Sequence, residues 1–171
     1  MRIGLALGSN LPPRKHFLGV ARDALMELAG PQDDYRQAPL FQTDPVECPP
    51  GSGPFLNTAL EMDFPDGWEP LALLAAFQEI ERTLGRVRGP SVPPHGPRTI
   101  DIDFLYIVGR TFSHPELVLP HPRLAVRRFV LAPLVCIAPD RIPGGLERPV
   151  AALLAALPPA DDPLTIVAKG W

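Results

Sequence analysis

Proline constrains this chain more than any other residue. There are 24 prolines among 171 residues, and they crowd into connectors such as "CPPGSGP" and "RGPSVPPHGPR". Proline in a loop lowers the entropy of the unfolded chain. The segments between these connectors keep clear apolar patterning, so the connectors read as stiffened loops rather than disorder.

Between the connectors, the patterning predicts a definite order of elements. Residues 2–8, "RIGLALG", read as a short, largely buried strand ending in "GSN". Pro12 and Pro13 open a helix, as proline does in a first turn, with Phe17, Ala21, Leu25 and Leu28 on its apolar side and "GP" at 30–31 as its stop. A strand is expected over 33–42. Over 55–64, Phe55, Asn57, Ala59, Glu61 and Asp63 alternate with Leu56, Thr58, Leu60, Met62 and Phe64. This period of two predicts a strand with its more apolar side on the core. A second helix spans Trp68 to Leu84, carrying Leu73, Leu74, Phe77, Ile80 and Leu84. A strand at about 99–108 follows the loop from Arg86 to Pro97. The order β-α-β-β-α-β is that of ferredoxin-like folds. One or two short helices over "HPRLAVRRFVLAPLVCIAP", a small helix near 149–157 and a last strand near 164–168 complete the chain. The expectation is a single α+β domain over 1–171, an antiparallel sheet with helices packed on it and C-terminal additions.

Composition excludes several classes. With 46% hydrophobic and 20% charged residues, the chain fits an ordinary globular protein large enough for a core without staples. Its longest apolar runs fall well short of the roughly 18 residues that cross a membrane. The start, "MRIGLALGSN", lacks the pattern of a signal peptide. Cys48 and Cys136 form no metal spacing, which favours reduced thiols and a cytoplasmic location. Neither nucleic acid, membrane nor a protein partner is indicated.

The strand in "GPRTIDIDFLYIV" (Gly96 to Val108) raises the functional question. Residues i and i+2 share a face about 6.5 Å apart along a strand, so Asp101 and Asp103 point the same way, opposite Ile100, Ile102 and Phe104. Buried carboxylates need a compensating cation or hydrogen bonds. A hard cation held between them is best served by Mg²⁺, which takes the rest of its shell from water and substrate phosphates. Two surface charges on a solvated face, or an arginine ion pair, fit the "DxD" pattern as well. Arg86, Arg88, Arg98, Arg110, Arg123, Arg127 and Arg128 make the region cationic, and guanidinium grips phosphate oxygens in pairs. Arginine also simply outnumbers lysine throughout the chain. "GRVRG" and "GPR" bracket 86–97 as a lid would, with arginines at both ends. These residues alone name no reaction.

Five blocks, "GSN", "FLNTAL", "QEIERTLGRVR", "GPRTIDIDFL" and "LPHPRLAVRRFVLAPL", occur in the order and spacing of one family. The chain resembles the 6-hydroxymethyl-7,8-dihydropterin pyrophosphokinases of folate biosynthesis from "LALGSN" to "CIAP". The resemblance implies attack of the pterin's hydroxymethyl oxygen on the β-phosphorus of ATP, with two Mg²⁺ on Asp101 and Asp103 and AMP as the leaving group. It implies that Arg86 and Arg98 approach the transferred phosphates, and that Gln78, Arg88, His121 and Arg127 serve the nucleotide. For the pterin it implies Asn57 at the heterocycle edge, Phe55 and Phe129 as stacking walls, backbone groups from Thr43 through Pro45 to Val46, and Gly8 for close approach. Where many relatives carry tryptophan just before "GPRT", this chain has His95, which implies a stiffer lid.

Two other readings fit the residues by themselves. One is a different Mg²⁺-dependent phosphotransferase or nuclease, which a product analysis separates: AMP means β-attack, ADP means γ-transfer. The other is a ferredoxin-like RNA-binding module, but the chain lacks the aromatic-rich motif such modules carry.

Overall fold

Alternating large and small residues along the first strand set the layering. In β1 (Arg2–Ser9), Ile3, Leu5 and Leu7 are buried in one core, while Gly4, Ala6 and Gly8 present a shallow surface to the other side. The computed structural model describes residues 1–45, 48–89, 96–159 and 164–171. β1 pairs antiparallel with β4 (Phe55–Asp63) on one side and β5 (Asp101–Ile107) on the other. β3 (Leu40–Thr43) pairs with β4 and with β8 (Thr165–Ala168), and the short β2 (Arg36–Gln37) also pairs with β4. The strand order is β5-β1-β4-β3-β8. For β1, β3, β4 and β5 this is fourth-first-third-second with every neighbour antiparallel, the ferredoxin-like arrangement expected from the element order. The strand expected over 33–42 is divided into β2 and β3.

Two helices cover the first face. Leu18, Ala21 and Leu25 of α1 (Arg14–Ala29) and Leu73 and Phe77 of α2 (Pro70–Thr83) pack on Leu60, Met62, Ile102 and Phe104. Phe77 meets Phe64 and Phe104 edge-on at 5.9 and 5.5 Å, the preferred aromatic geometry. The buried line of α1 runs through Leu18 and Ala29, one residue on from the expected Phe17 and Leu28.

The second face is covered as well, which the sequence did not reveal. Val130, Leu131 and Leu134 of α3 (Arg128–Ile137) and Val150 and Leu153 of α4 (Val150–Ala155) pack over Ala6, Ala38, Ala59, Leu105 and Tyr106. β4 is consequently buried on both sides, and Glu61 is 0% exposed. Its carboxylate accepts hydrogen bonds from Arg2 Nε at 3.0 Å, Arg141 Nε at 2.7 Å and the Tyr106 hydroxyl at 3.0 Å. Tyr106 lies across Gly4, where a Cβ would come 2.3 Å from the ring. A register shift between Gly4 and Leu5 turns both Leu105 and Tyr106 into the second core, as a β-bulge does.

Between β5 and α3 the chain forms a hairpin, β6 (Phe112–His114) with β7 (Leu117–Leu119), that the patterning did not announce. A 3₁₀ turn, Leu124–Val126, precedes α3. At the outer edge of the sheet, β5 is blunted by buried Glu81, which accepts the Ile102 N–H at 2.8 Å, and by the His121 N–H, which donates to the Leu105 carbonyl at 2.7 Å. Near β2 and β3, Trp171 Nε1 donates to the Ala38 carbonyl at 3.0 Å. No described helix is long and apolar enough to cross a membrane.

Candidate active site

Where the second helical layer stops, the small-residue face of the sheet is left open at the Gly8 end. Gly8 lies opposite Asp101 on one side and Asn57 on the other. A cavity forms there, lined by the ends of β1, β4 and β5, by Thr43, Asp44 and Cys48, and by Arg98, Arg123, Arg127 and Phe129. This placement answers why one strand carries two aspartates on one face. Asp101 and Asp103 look into the cavity, while Ile102 and Phe104 belong to the first core.

Each carboxylate has a guanidinium partner. Arg98 NH1 donates to Asp101 Oδ2 at 2.5 Å, and Arg86 NH2 lies 3.5 Å from Asp101 Oδ1. Arg127 NH1 donates to Asp103 Oδ2 at 3.0 Å. Burial, with help from the Asp101 charge, holds Asp103 above the usual carboxylate range against the pull of Arg127. The Nε atoms of Arg86 and Arg98 are buried without a hydrogen-bond acceptor, donors suited to an arriving oxyanion.

Two arginines also stand beside the aromatic walls. The Arg98 guanidinium carbon lies 5.2 Å from the centre of the Phe55 ring, and that of Arg127 lies 5.7 Å from Phe129, both within cation–π range. Asn57 Nδ2 donates to Thr43 Oγ1 at 2.8 Å. A Cβ on Gly8 would stand 3.0 Å from Asn57 Oδ1, so glycine there leaves the amide its place. The His121 ring accepts the Arg123 N–H at Nδ1, 3.1 Å away. Burial holds its pKa below 6.5, against the pull of Asp103.

Of the residues singled out from sequence, Gly8, Thr43, Phe55, Asn57, Arg98, Asp101, Asp103, Arg127 and Phe129 all line the one cavity. Arg86 joins them through Asp101. Gln78 is exposed on α2 and is absent from the lining. Arg88 pairs with buried Glu81 and likewise stands outside the lining. Pro45 adjoins the lining residue Asp44. Val46 and His95, with residues 90–94 of the expected lid, lie outside the described residues. Asp44 lies within the Thr43-to-Val46 stretch expected at the site, whereas sequence reasoning missed Cys48 as a lining residue; a proline-rich connector gives no periodicity from which to place it.

The donor chemistry suits Mg²⁺. Asp101 and Asp103, two hard oxygen donors, face the same cavity. A cation here would complete its shell from phosphate and water, as magnesium usually does.

The α+β fold gathers paired carboxylates, guanidiniums and the Phe55 and Phe129 side chains around one cleft, a donor set that fits the phosphate-transfer class of enzymes. The model of the 7,8-dihydro-6-hydroxymethylpterin-pyrophosphokinase (HPPK) family matches residues 4–139. The chain is 36% identical to the 2-amino-4-hydroxy-6-hydroxymethyldihydropteridine pyrophosphokinase of Mycobacterium tuberculosis, over 94% of this chain and 86% of that protein. It is 38% identical to the Pseudomonas aeruginosa protein of the same name, over 92% of each. A solved Plasmodium falciparum HPPK-DHPS with pteroate superposes with a TM-score of 0.66 at 14% identity, covering 90% of this chain and 42% of that one. The chain thus spans less than half of that solved chain, and the likeness there is one of fold. The protein belongs to the 7,8-dihydro-6-hydroxymethylpterin-pyrophosphokinase family, and is a diphosphotransferase.

Proposed function

We propose that the protein transfers pyrophosphate from ATP to the hydroxymethyl group of 6-hydroxymethyl-7,8-dihydropterin, with Mg²⁺, in folate biosynthesis. The observation that carries this reading is the single cavity in which Phe55, Phe129 and Asn57 stand beside Asp101, Asp103, Arg98 and Arg127. The two rings suit a flat bicycle between them, each stacking contact adding about 0.5–1.5 kcal/mol beyond burial. Asn57 offers a carbonyl acceptor to the pterin edge while its amide stays fixed on Thr43.

Asp101 and Asp103 would hold Mg²⁺, which neutralises triphosphate charge and aligns the β-phosphorus with the attacking oxygen. Arg98, Arg86 and Arg127 supply the remaining positive charge, exchanging carboxylate partners for phosphate oxygens. The pterin hydroxyl oxygen forms the new bond to the β-phosphorus and gives up its proton to water, the bond from the β-phosphorus to the oxygen bridging it to the α-phosphorus breaks, and AMP departs with that oxygen. Catalysis of this kind rests on positioning and electrostatics, which matches a site rich in fixed guanidiniums. The test is turnover with ATP, Mg²⁺ and the reduced pterin, read out by nucleotide product. AMP is expected; ADP, or no turnover, refutes the reading. Asp101→Ala or Asp103→Ala should abolish AMP formation in a folded protein, and activity retained in both would remove the metal assignment.

A further inference from the structure

Asn10, the last residue of "GSN" and the first beyond β1, has no role in the account above, yet it holds the base of a catalytic arm. Asn10 is 4% exposed and lies one residue past the end of β1. The β1–β5 ladder has already ended at Gly8↔Asp101. Beyond it, the Arg98 N–H donates to Asn10 Oδ1 at 2.7 Å, and the N–H groups of Asn10 and Leu11 donate to the Arg98 carbonyl at 3.2 and 3.3 Å. The side-chain amide stands in for the backbone carbonyl that a continuing strand would have offered, so both main-chain polar groups of Arg98 are fixed by the turn. A backbone pinned in this way limits where the guanidinium can go, namely to Asp101 Oδ2 at 2.5 Å and beside the Phe55 ring.

We propose that Asn10 is a positioning residue for pyrophosphoryl transfer, holding the Arg98 backbone so that its guanidinium stays aimed at the acidic pair and the phosphates gathered there. This rests on the activity proposed above. Asn10 and Leu11, which hold the Arg98 backbone, stand outside the cavity lining, so the effect of Asn10 reaches the site through Arg98 and falls on the chemical step. Small misplacements of a catalytic group cost on the order of 100-fold in rate.

The experiment is a double-mutant cycle in the AMP-release assay at steady state, with kcat and KM for the pterin and a thermal melt on every variant. Asn10→Ala should lower kcat by about 10- to 100-fold in the presence of Arg98, with KM for the pterin changed by less than about threefold. In an Arg98→Ala background the same substitution should lower kcat by less than about twofold, because the group it positions is gone. A purely structural role would lower activity equally in both backgrounds, and that result, or an unchanged kcat for Asn10→Ala, overturns the proposal. Should Asn10→Ala not fold, Asn10→Ser, whose hydroxyl is too short to reach the Arg98 N–H, enters the same cycle with the same two outcomes. A wild-type protein that releases no AMP counts instead against the proposed function itself.

Discussion

Substituting Gly4 by alanine should be among the most damaging single-methyl changes this protein can suffer. The added Cβ would lie 2.3, 2.4 and 2.8 Å from Tyr106 Cζ, Cε1 and Cε2, where ordinary contact needs more than 3.4 Å. The ring must therefore retreat by about 1 Å, since β1 is held on both sides by β4 and β5 and cannot move. Tyr106 is fully buried, so retreat overpacks the second core, at about 1–3 kcal/mol. It also pulls the hydroxyl from Glu61 Oε1, 3.0 Å away, and a hydrogen bond to a charged group contributes about 1.5–3 kcal/mol. Together these give a loss of about 2.5–6 kcal/mol, or a melting temperature lower by about 5–24 °C at this chain length. Urea unfolding followed by circular dichroism measures it. In a Tyr106→Ala background the same methyl should cost less than about 0.5 kcal/mol. A Gly4→Ala variant within 1 kcal/mol of wild type, or one equally damaged in both backgrounds, refutes the packing argument.

Further outcomes follow from the buried charges. Burial pushes the Glu61 carboxyl up, but hydrogen bonds from Arg141 and Arg2 outweigh it and leave the group below its ordinary 4.5. Its folded value is depressed, so its contribution is present above about pH 4.5 and lost as pH falls through the lower folded value. Glu61→Gln should therefore cost about 3–5 kcal/mol at neutral pH, with the gap to wild type closing in acid; a gap constant with pH in denaturant titrations contradicts this. His121 should titrate below 6.5 by NMR in the free protein, since burial disfavours its charged form. Asp103→Asn, which removes the charge that raises it, should lower it further, and an unmoved midpoint would sever the two groups.

Much of this was legible because short-range pattern carries it. Period-two alternation at 55–64 and helical spacing in the two long helices gave the ferredoxin-like order, and i, i+2 geometry placed Asp101 and Asp103 together. The second helical layer was not legible. Glu61 in an alternating strand reads as solvent-facing, and only Arg2, Arg36 and Arg141, distant in sequence, make its burial tolerable. The hairpin of β6 and β7 was missed because strands of three residues are too short to show a period. In the site, the aromatic walls and the acidic pair lie at strand ends or beside a helix start, where position follows from register. Cys48 comes from a connector whose path only tertiary packing fixes. Gln78 sits one helical step from the buried line through Phe77 and Glu81, and so faces solvent.

The pairing of each cleft carboxylate with its own guanidinium bears on the life of the chain before any substrate arrives. Because Asp101 and Asp103 already have counter-ions encoded in the same polypeptide, part of the repulsion between the acidic pair is offset without help from solution ions. A chain built this way needs no bound cation to hold its acidic pair while it folds, so a metal, on the activity proposed above, would be required only when substrate arrives.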